Sequence, residues 1–181
     1  MERVILVNER DEEQGAGEKL AVHREGRLHR AFSVFLWREG QLLLQRRAAG
    51  KYHSGSLWAN TCCSHPRPGE DLLAAARRRL IEECGLTSPD LREAFCFTYR
   101  ADFDNGLTEH EYDHVLLGRC PGGEAFPDPA EIAELRWWDF DEVLRSLRER
   151  PEDFACWFRL AAPAVIDLLK RAEGDIINKL E

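Results

Sequence analysis

The run EDLLAAARRRLIEECG, residues 70–85, fits one local structure. Apolar residues fall at 73, 76, 80, 81 and 84, the spacing of a helix with one buried stripe, and Gly85 stands where such a helix stops. Arg78 and Glu82 are four apart, as are Arg79 and Glu83, so each pair shares a helix face and can ion-pair along it. A helix with one apolar stripe needs a layer to lie on. Strands supply it. Residues 31–46 read as a hairpin, AFSVFLW and LLLQRR joined by REGQ. EAFCFTYRADF (93–103), EHEYDHVLLGRC (109–120) and ELRWWDF (134–140) read as further strands, followed by helices over about 139–149 and 152–172. This mixture predicts an α+β fold in a single domain over 1–181, with a core of about 19–172 and residues 1–18 as an N-terminal extension.

At 181 residues the chain can bury a sizeable core without disulfide staples. Its net charge of -8 argues against a general nucleic-acid binder, since phosphate backbones recruit a surplus of Lys and Arg. The start MERVILVNERDEE turns acidic at once and does not resemble a signal peptide. The most apolar late stretch, 154–169, is interrupted by Arg159, Pro163 and Asp167 and falls short of the roughly 20 apolar residues a membrane span needs. A cytoplasmic protein is expected, and its six cysteines are then thiols rather than bridges. Adjacent Cys62 and Cys63 would make a strained pair in any case.

The segment AAGKYHSGSLWANTCCSHPRPG, residues 48–69, has no period and many turn residues, so it reads as a long loop of the functional kind. It carries Cys62, Cys63 and His65. His23 and His29 flank REGRL further upstream. A lone histidine is more often structural than a ligand. On a strand, however, Glu109 and Glu111 project from one face, while His110 points away with Tyr112 and His114. Two carboxylates that close are unfavourable when buried unless a cation or a proton lies between them; if exposed they are simply solvated. Three imidazoles and two carboxylates would suit a borderline divalent ion such as zinc or manganese.

Glu70, Arg78, Glu82-Glu83 and Gly85-Leu86 fall on the pattern of the Nudix box, a loop-helix-loop that holds divalent metal against a diphosphate. Two positions depart from it. Ser64 stands for the first glycine, and Arg79 for the glutamate that usually follows the arginine. A cation in place of a metal-binding carboxylate weakens hydrolytic metal chemistry and adds a phosphate contact. HRAFSVFLW, QLLLQRRA, WANTCCSHP, this altered helix and TEHEYDHVL, in that order, resemble type 1 isopentenyl-diphosphate delta-isomerase from about Lys19 to Trp157.

The resemblance implies a Nudix-like mixed β-sheet sandwich flanked by helices. It also implies interconversion of isopentenyl and dimethylallyl diphosphate, by protonation of the alkene and loss of a different proton from C2. It assigns Cys63 and Glu111 to proton transfer, with Tyr99 beside Glu111 on the alkene side and Cys63 taking the C2 proton as thiolate or acting in reverse. It makes His23, His29, His65, Glu109 and Glu111 ligands of a manganese or zinc ion, with His23 and His29 one residue closer together than in typical members. Magnesium is expected to arrive with substrate on Glu83 and the main-chain carbonyl of Cys63. Lys19, Arg47, Lys51 and Arg79 would contact the diphosphate, and Trp157 would face the developing cation. The expected partner is a small diphosphate, with no nucleic acid or membrane, on a monomer or weak homodimer. Two rival readings are a Nudix pyrophosphohydrolase and a structural zinc module. Arg79 speaks against the first, and the lack of CxxC-like spacing against the second.

Overall fold

The computed structural model describes residues 2–120 and 122–177; the remaining residues of the expected 1–181 domain lie outside these. β3 (His29–Arg38) is the central strand. β8 (Thr108–Arg119) runs parallel along one edge of it, from His29 opposite Glu111 to Trp37 opposite Arg119. The other edge is shared. β4 (Gln41–Arg47) pairs antiparallel with its far end, and the three-residue β6 (Cys62–Ser64) pairs with Phe32–Val34. β4 therefore diverges from β3 and is carried on by β9 (Ile132–Asp139) and the short β5 (Trp58–Ala59). β7 (Arg92–Asp102) closes the β8 side. The result is one mixed, curled sheet.

Both faces of β3 are buried, which is why its sequence runs apolar without alternation. Phe35 and Trp37 face a core built with α3 (Phe140–Glu149) and α4 (Cys156–Ile177), where Phe158, Ala162, Val165 and Ile166 pack. Val34 and Leu36 face the opposite core, under α2 (Leu72–Cys84) and its buried Ala75, Ala76 and Leu80. Helix α2 starts at its N-cap Asp71, whose side chain accepts from the Ala74 amide, and ends at Gly85. Gly85 has φ +65, and a Cβ there would meet the Phe126 backbone at 3.0 Å, so glycine is required twice over.

The expected strands and helices are present to within a few residues. Two features differ from the sequence reading. Residues 3–18, expected as an extension, form a hairpin of β1 (Arg3–Val7) and β2 (Glu13–Glu18), joined to the sheet where Leu6 pairs with His29. Asp11 in its turn region accepts from Arg30 at 2.7 Å and lies 3.1 Å from His114, which gives that acidic run a structural use. The segment 48–69 is also less open than its composition suggests, since β5 and β6 stitch it into the fork between β3 and β4. Short α1 (Lys19–Glu25) follows β2. Among the described residues no helix is long and apolar enough to cross a membrane.

Candidate active site

The face of β8 that packs the α4 core at Val115 and Leu117 changes character toward its N-terminal end. Period two continues with Asp113, Glu111 and Glu109, all buried. Glu111 and Glu109 border a cavity of about 290 Å³ that also reaches Ser33, Cys63, Tyr99 and Trp157. Cys62 and Cys63 alternate on β6. Cys62 points into the α2 core, whereas Cys63 faces the cavity. Cys63 and Glu111 sit on strands bordering opposite edges of β3. Burial pushes the Cys63 thiol up to about 12 despite the Arg47 guanidinium, whose Nη1 donates to Sγ at 3.5 Å. The free site therefore holds a neutral thiol. Arg47 is itself buried, 5.2 Å from the centre of the Trp157 ring, and the Trp157 indole donates to Asn60 Oδ1 at 3.0 Å.

At the inner end, three elements converge on Glu111. His29 lies opposite it in the parallel ladder, His65 follows β6, and His23 comes from α1, which turns back through left-handed Gly26. The His23 and His29 rings are 4.7 Å apart, so their short spacing in sequence still brings them together. His23 Nδ1 and His29 Nδ1 donate to the carbonyls of Lys19 and Arg27 at 2.7 and 2.9 Å. This leaves both Nε2 atoms bare, buried and without a hydrogen-bond partner. His29 Nε2 stands 3.5 Å from Glu111 Oε1, and His65 Nε2 hydrogen-bonds the same oxygen at 2.9 Å. Such an arrangement calls for a cation between the groups. Ligand atoms of His23, His29, His65 and Glu111 all lie within 4.8 Å of one another. Glu109 is not in that group; it gathers instead with His23 and His53. Burial drives His23 down to about 4 and His65 to about 3, which keeps them neutral and able to ligate.

Tyr99 joins the two glutamates, with its hydroxyl 2.6 Å from Glu111 and 2.9 Å from Glu109. One hydroxyl has one proton. Burial and the charge of Glu111 push Glu109 well up, so Glu109 keeps its own proton and can donate to the Tyr99 oxygen. Burial works to raise Glu111 too, but contacts with His29 and His65 outweigh it and hold Glu111 well below the usual range. The order is carboxylic acid, phenol, carboxylate.

The outer end is built from cations. Lys19, Arg47, Lys51, Arg67, Arg78 and Arg79 all line the cavity. Arg78 forks onto Glu70 at 2.7 and 2.8 Å, tying the loop to α2. Arg79 bonds Glu83 and reaches Glu82 at 3.0 Å and Glu131 at 3.4 Å; Lys51 bonds Glu131; Lys19 bonds Glu2 at 3.0 Å. Glu83 is buried behind Arg79, and burial raises its carboxyl against the pull of that guanidinium.

Sequence reasoning did not single out His53, Tyr52, Asp113 or Glu131. Asp113 was legible as the next step of the 109, 111 alternation. His53 and Tyr52 sat in an aperiodic loop and Glu131 in a turn, where no spacing marks a residue.

The chain matches the NUDIX domain over residues 27–158. A protein of Deinococcus radiodurans superposes with a TM-score of 0.67 at 25% identity, covering 82% of this chain and 90% of that one. A MutT NUDIX hydrolase of Burkholderia pseudomallei shares the fold alone, with a TM-score of 0.62 at 20% identity over 76% and 97% of the two chains. These define the class as a Nudix domain with an arginine inside its box. Among curated proteins, the chain is 51% identical over 158 residues to the isopentenyl-diphosphate Delta-isomerase of Burkholderia multivorans, covering 87% of this chain and 89% of the relative. It is 48% identical over 166 residues to isopentenyl-diphosphate Delta-isomerase 2 of Aromatoleum aromaticum, covering 91% and 87%. The chain belongs to the type 1 isopentenyl-diphosphate Delta-isomerase family within the Nudix superfamily.

Proposed function

We infer that this cavity interconverts isopentenyl diphosphate and dimethylallyl diphosphate. The observation that carries the reading is a proton donor and a proton acceptor, Cys63 and Glu111, on opposite flanks of β3 in one buried cavity whose outer end is cationic. Moving a double bond by one position needs that arrangement. A proton adds to the terminal CH2, a tertiary carbocation forms, and C2 loses a proton. The site gains none overall. Trp157 and buried walls keep water from the cation, and the indole face lowers its energy by about 2 kcal/mol in a dry pocket.

Glu111 with Tyr99 serves the terminal carbon and Cys63 serves C2. Thiol plus carboxylate, the state of the free site, is loaded for Cys63 to give and Glu111 to take, which is the direction from dimethylallyl to isopentenyl diphosphate. The forward direction needs that one proton moved to Glu111. Each direction leaves the site as the other requires it. Arg47 at the sulfur stabilises the thiolate, and the Glu109–Tyr99 chain steadies the proton load on Glu111.

The diphosphate binds where Lys19, Arg47, Lys51 and Arg79 converge, displacing Glu2 and Glu131 from their cations. The buried, partnerless imidazole nitrogens fit a divalent ion, manganese or zinc, held by His23, His29, His65 and Glu111 with Glu109 adjacent. Bound there, it would lower the proton affinity of Glu111. Magnesium suits the hard oxygens of Glu83, the Cys63 carbonyl and the diphosphate.

The test is incubation of purified protein and magnesium with isopentenyl diphosphate, followed by proton NMR. New allylic methyl signals without phosphate release are expected. Release of phosphate above the metal-only blank, with no methyl signal, would establish hydrolysis instead.

A further inference from the structure

Behind the cavity wall, one fully buried amide joins the two walls that carry Cys63 and Trp157. Asn60 sits between β5 and β6 with no exposed surface. Its Nδ2 donates to the Cys62 carbonyl at 2.7 Å and to the Val34 carbonyl at 3.2 Å, and its Oδ1 accepts from Trp157 Nε1 at 3.0 Å. Two carbonyls and one N–H around a primary amide admit a single orientation, with the NH2 toward the carbonyls and the oxygen toward the indole. Both donors and the acceptor are therefore committed.

Each bond holds a part of the site. The Cys62 carbonyl belongs to the peptide that leads into Cys63, so the bond to it sets the direction in which the Cys63 side chain leaves β6. The bond to Val34 ties the same amide to the central strand. Trp157 lies in the first turn of α4, and the chain entering that turn is stitched to β5. Phe154 bridges Trp58, and the Ala155 amide donates to the Trp58 carbonyl at 2.9 Å. These backbone ties place the turn but leave the indole free to rotate about its side-chain bonds. Among the described residues, the bond to Asn60 is the one hydrogen bond of the Trp157 side chain, and it sets the plane of the ring.

We propose that Asn60 is a positioning residue for the double-bond shift, holding the Trp157 ring and the Cys63 thiol in register through a single amide. The proposal rests on the reading of the cavity as an isomerase site. With the amide removed, the indole tilts, the cation loses its aromatic wall, and water reaches the tertiary carbon. After the terminal CH2 has taken its proton from the site, water oxygen bonds to that carbon and one water proton returns to the site. The product is 3-hydroxy-3-methylbutyl diphosphate in place of the alkene.

The full chain with magnesium and manganese is given isopentenyl diphosphate, and products are read by proton NMR for wild type and Asn60→Ala, with circular dichroism to verify folding. In the 15N-labelled protein, the Trp157 indole N–H, identified by its loss in Trp157→Phe, is followed by hydrogen exchange against the β8 backbone amides, which report global opening. Asn60→Ala should lower kcat by about 10- to 100-fold with KM within about threefold. The hydrated product should appear beside dimethylallyl diphosphate, and the indole N–H should exchange at least about tenfold faster relative to the β8 amides. A merely structural role would lower the amount of folded enzyme and leave the product ratio and the relative exchange unchanged, which overturns the proposal. So does a folded variant with kcat within about threefold of wild type. Asn60→Ser, with the same expectations, replaces Asn60→Ala if the latter unfolds. If wild type forms no dimethylallyl diphosphate, the isomerase reading falls, and the exchange comparison still decides whether Asn60 holds Trp157.

Discussion

The two ends of the cavity are charged in opposite senses and satisfied to different degrees. At the outer end Lys19, Lys51 and Arg79 already have carboxylate partners in Glu2, Glu131, Glu82 and Glu83. At the inner end the histidines present buried nitrogens with no partner, and three carboxylates share one strand face. A partnered cation costs little to keep and exchanges one anion for another. Bare imidazoles and crowded carboxylates are tolerable only with a cation or retained protons. The outer end is therefore an exchange site for an anionic ligand, and the inner end is a standing site for an ion and a proton.

The sharpest way to break this contrast is within one dipeptide. Cys63→Ala removes a group on the cavity wall and should lower kcat by about a thousandfold. Cys62→Ala, on the α2 side of the same strand, should leave kcat within a few-fold and instead cost about 1–2 kcal/mol in urea unfolding. Equal losses of activity would dissolve the distinction between the two faces of β6.

At the outer end, Arg79→Ala should raise KM for isopentenyl diphosphate by about 10- to 100-fold with a smaller change in kcat, reflecting a lost charged hydrogen bond of about 1.5–3 kcal/mol. A loss confined to kcat would place Arg79 with the chemistry instead.

Asp113 probes the crowding at the inner end. It accepts from Ser33 at 2.8 Å, and burial, reinforced by the charge of Glu111, raises it well above an ordinary aspartate. A raised folded-state value means the contribution to stability is full below about pH 3.8 and is lost as pH rises toward the folded value. Wild type thus carries a penalty that grows with pH by up to about 1.4 kcal/mol per unit, and Asp113→Asn removes it. In the metal-free protein the variant's stability relative to wild type should improve from pH 5 to pH 7. A flat difference would show that Asp113 ionises freely. The smallest effect belongs to Glu131→Gln, which releases Lys51 and should lower KM about two- to threefold, measured in the same assay.

Much of this was legible in the sequence, for identifiable reasons. Helix α2 declared itself by apolar spacing and Gly85, and Glu109 and Glu111 by their period of two, because regular structure converts spacing into direction. The alternation of Cys62 and Cys63 could not be read, since nothing in a Gly- and Pro-rich loop announces a three-residue strand; pairing with β3 creates it. His53 was invisible for the same reason. Its position depends on Phe103, Tyr52 and Trp157, which only tertiary packing brings around it. The N-terminal hairpin was missed because β2, EQGAGE, has no apolar alternation and is held by its pairing with β1 rather than by burial.

The central claim is that one cavity adds a proton to its substrate and removes a different one, reversibly and without cutting the diphosphate. Incubation with isopentenyl diphosphate and magnesium in heavy water, read by NMR and mass spectrometry, tests it most directly. Deuterium should appear in both the dimethylallyl product and the recovered isopentenyl diphosphate, with no phosphate released. Product that forms without deuterium, or deuterium-free substrate recovered beside liberated phosphate, would contradict the account.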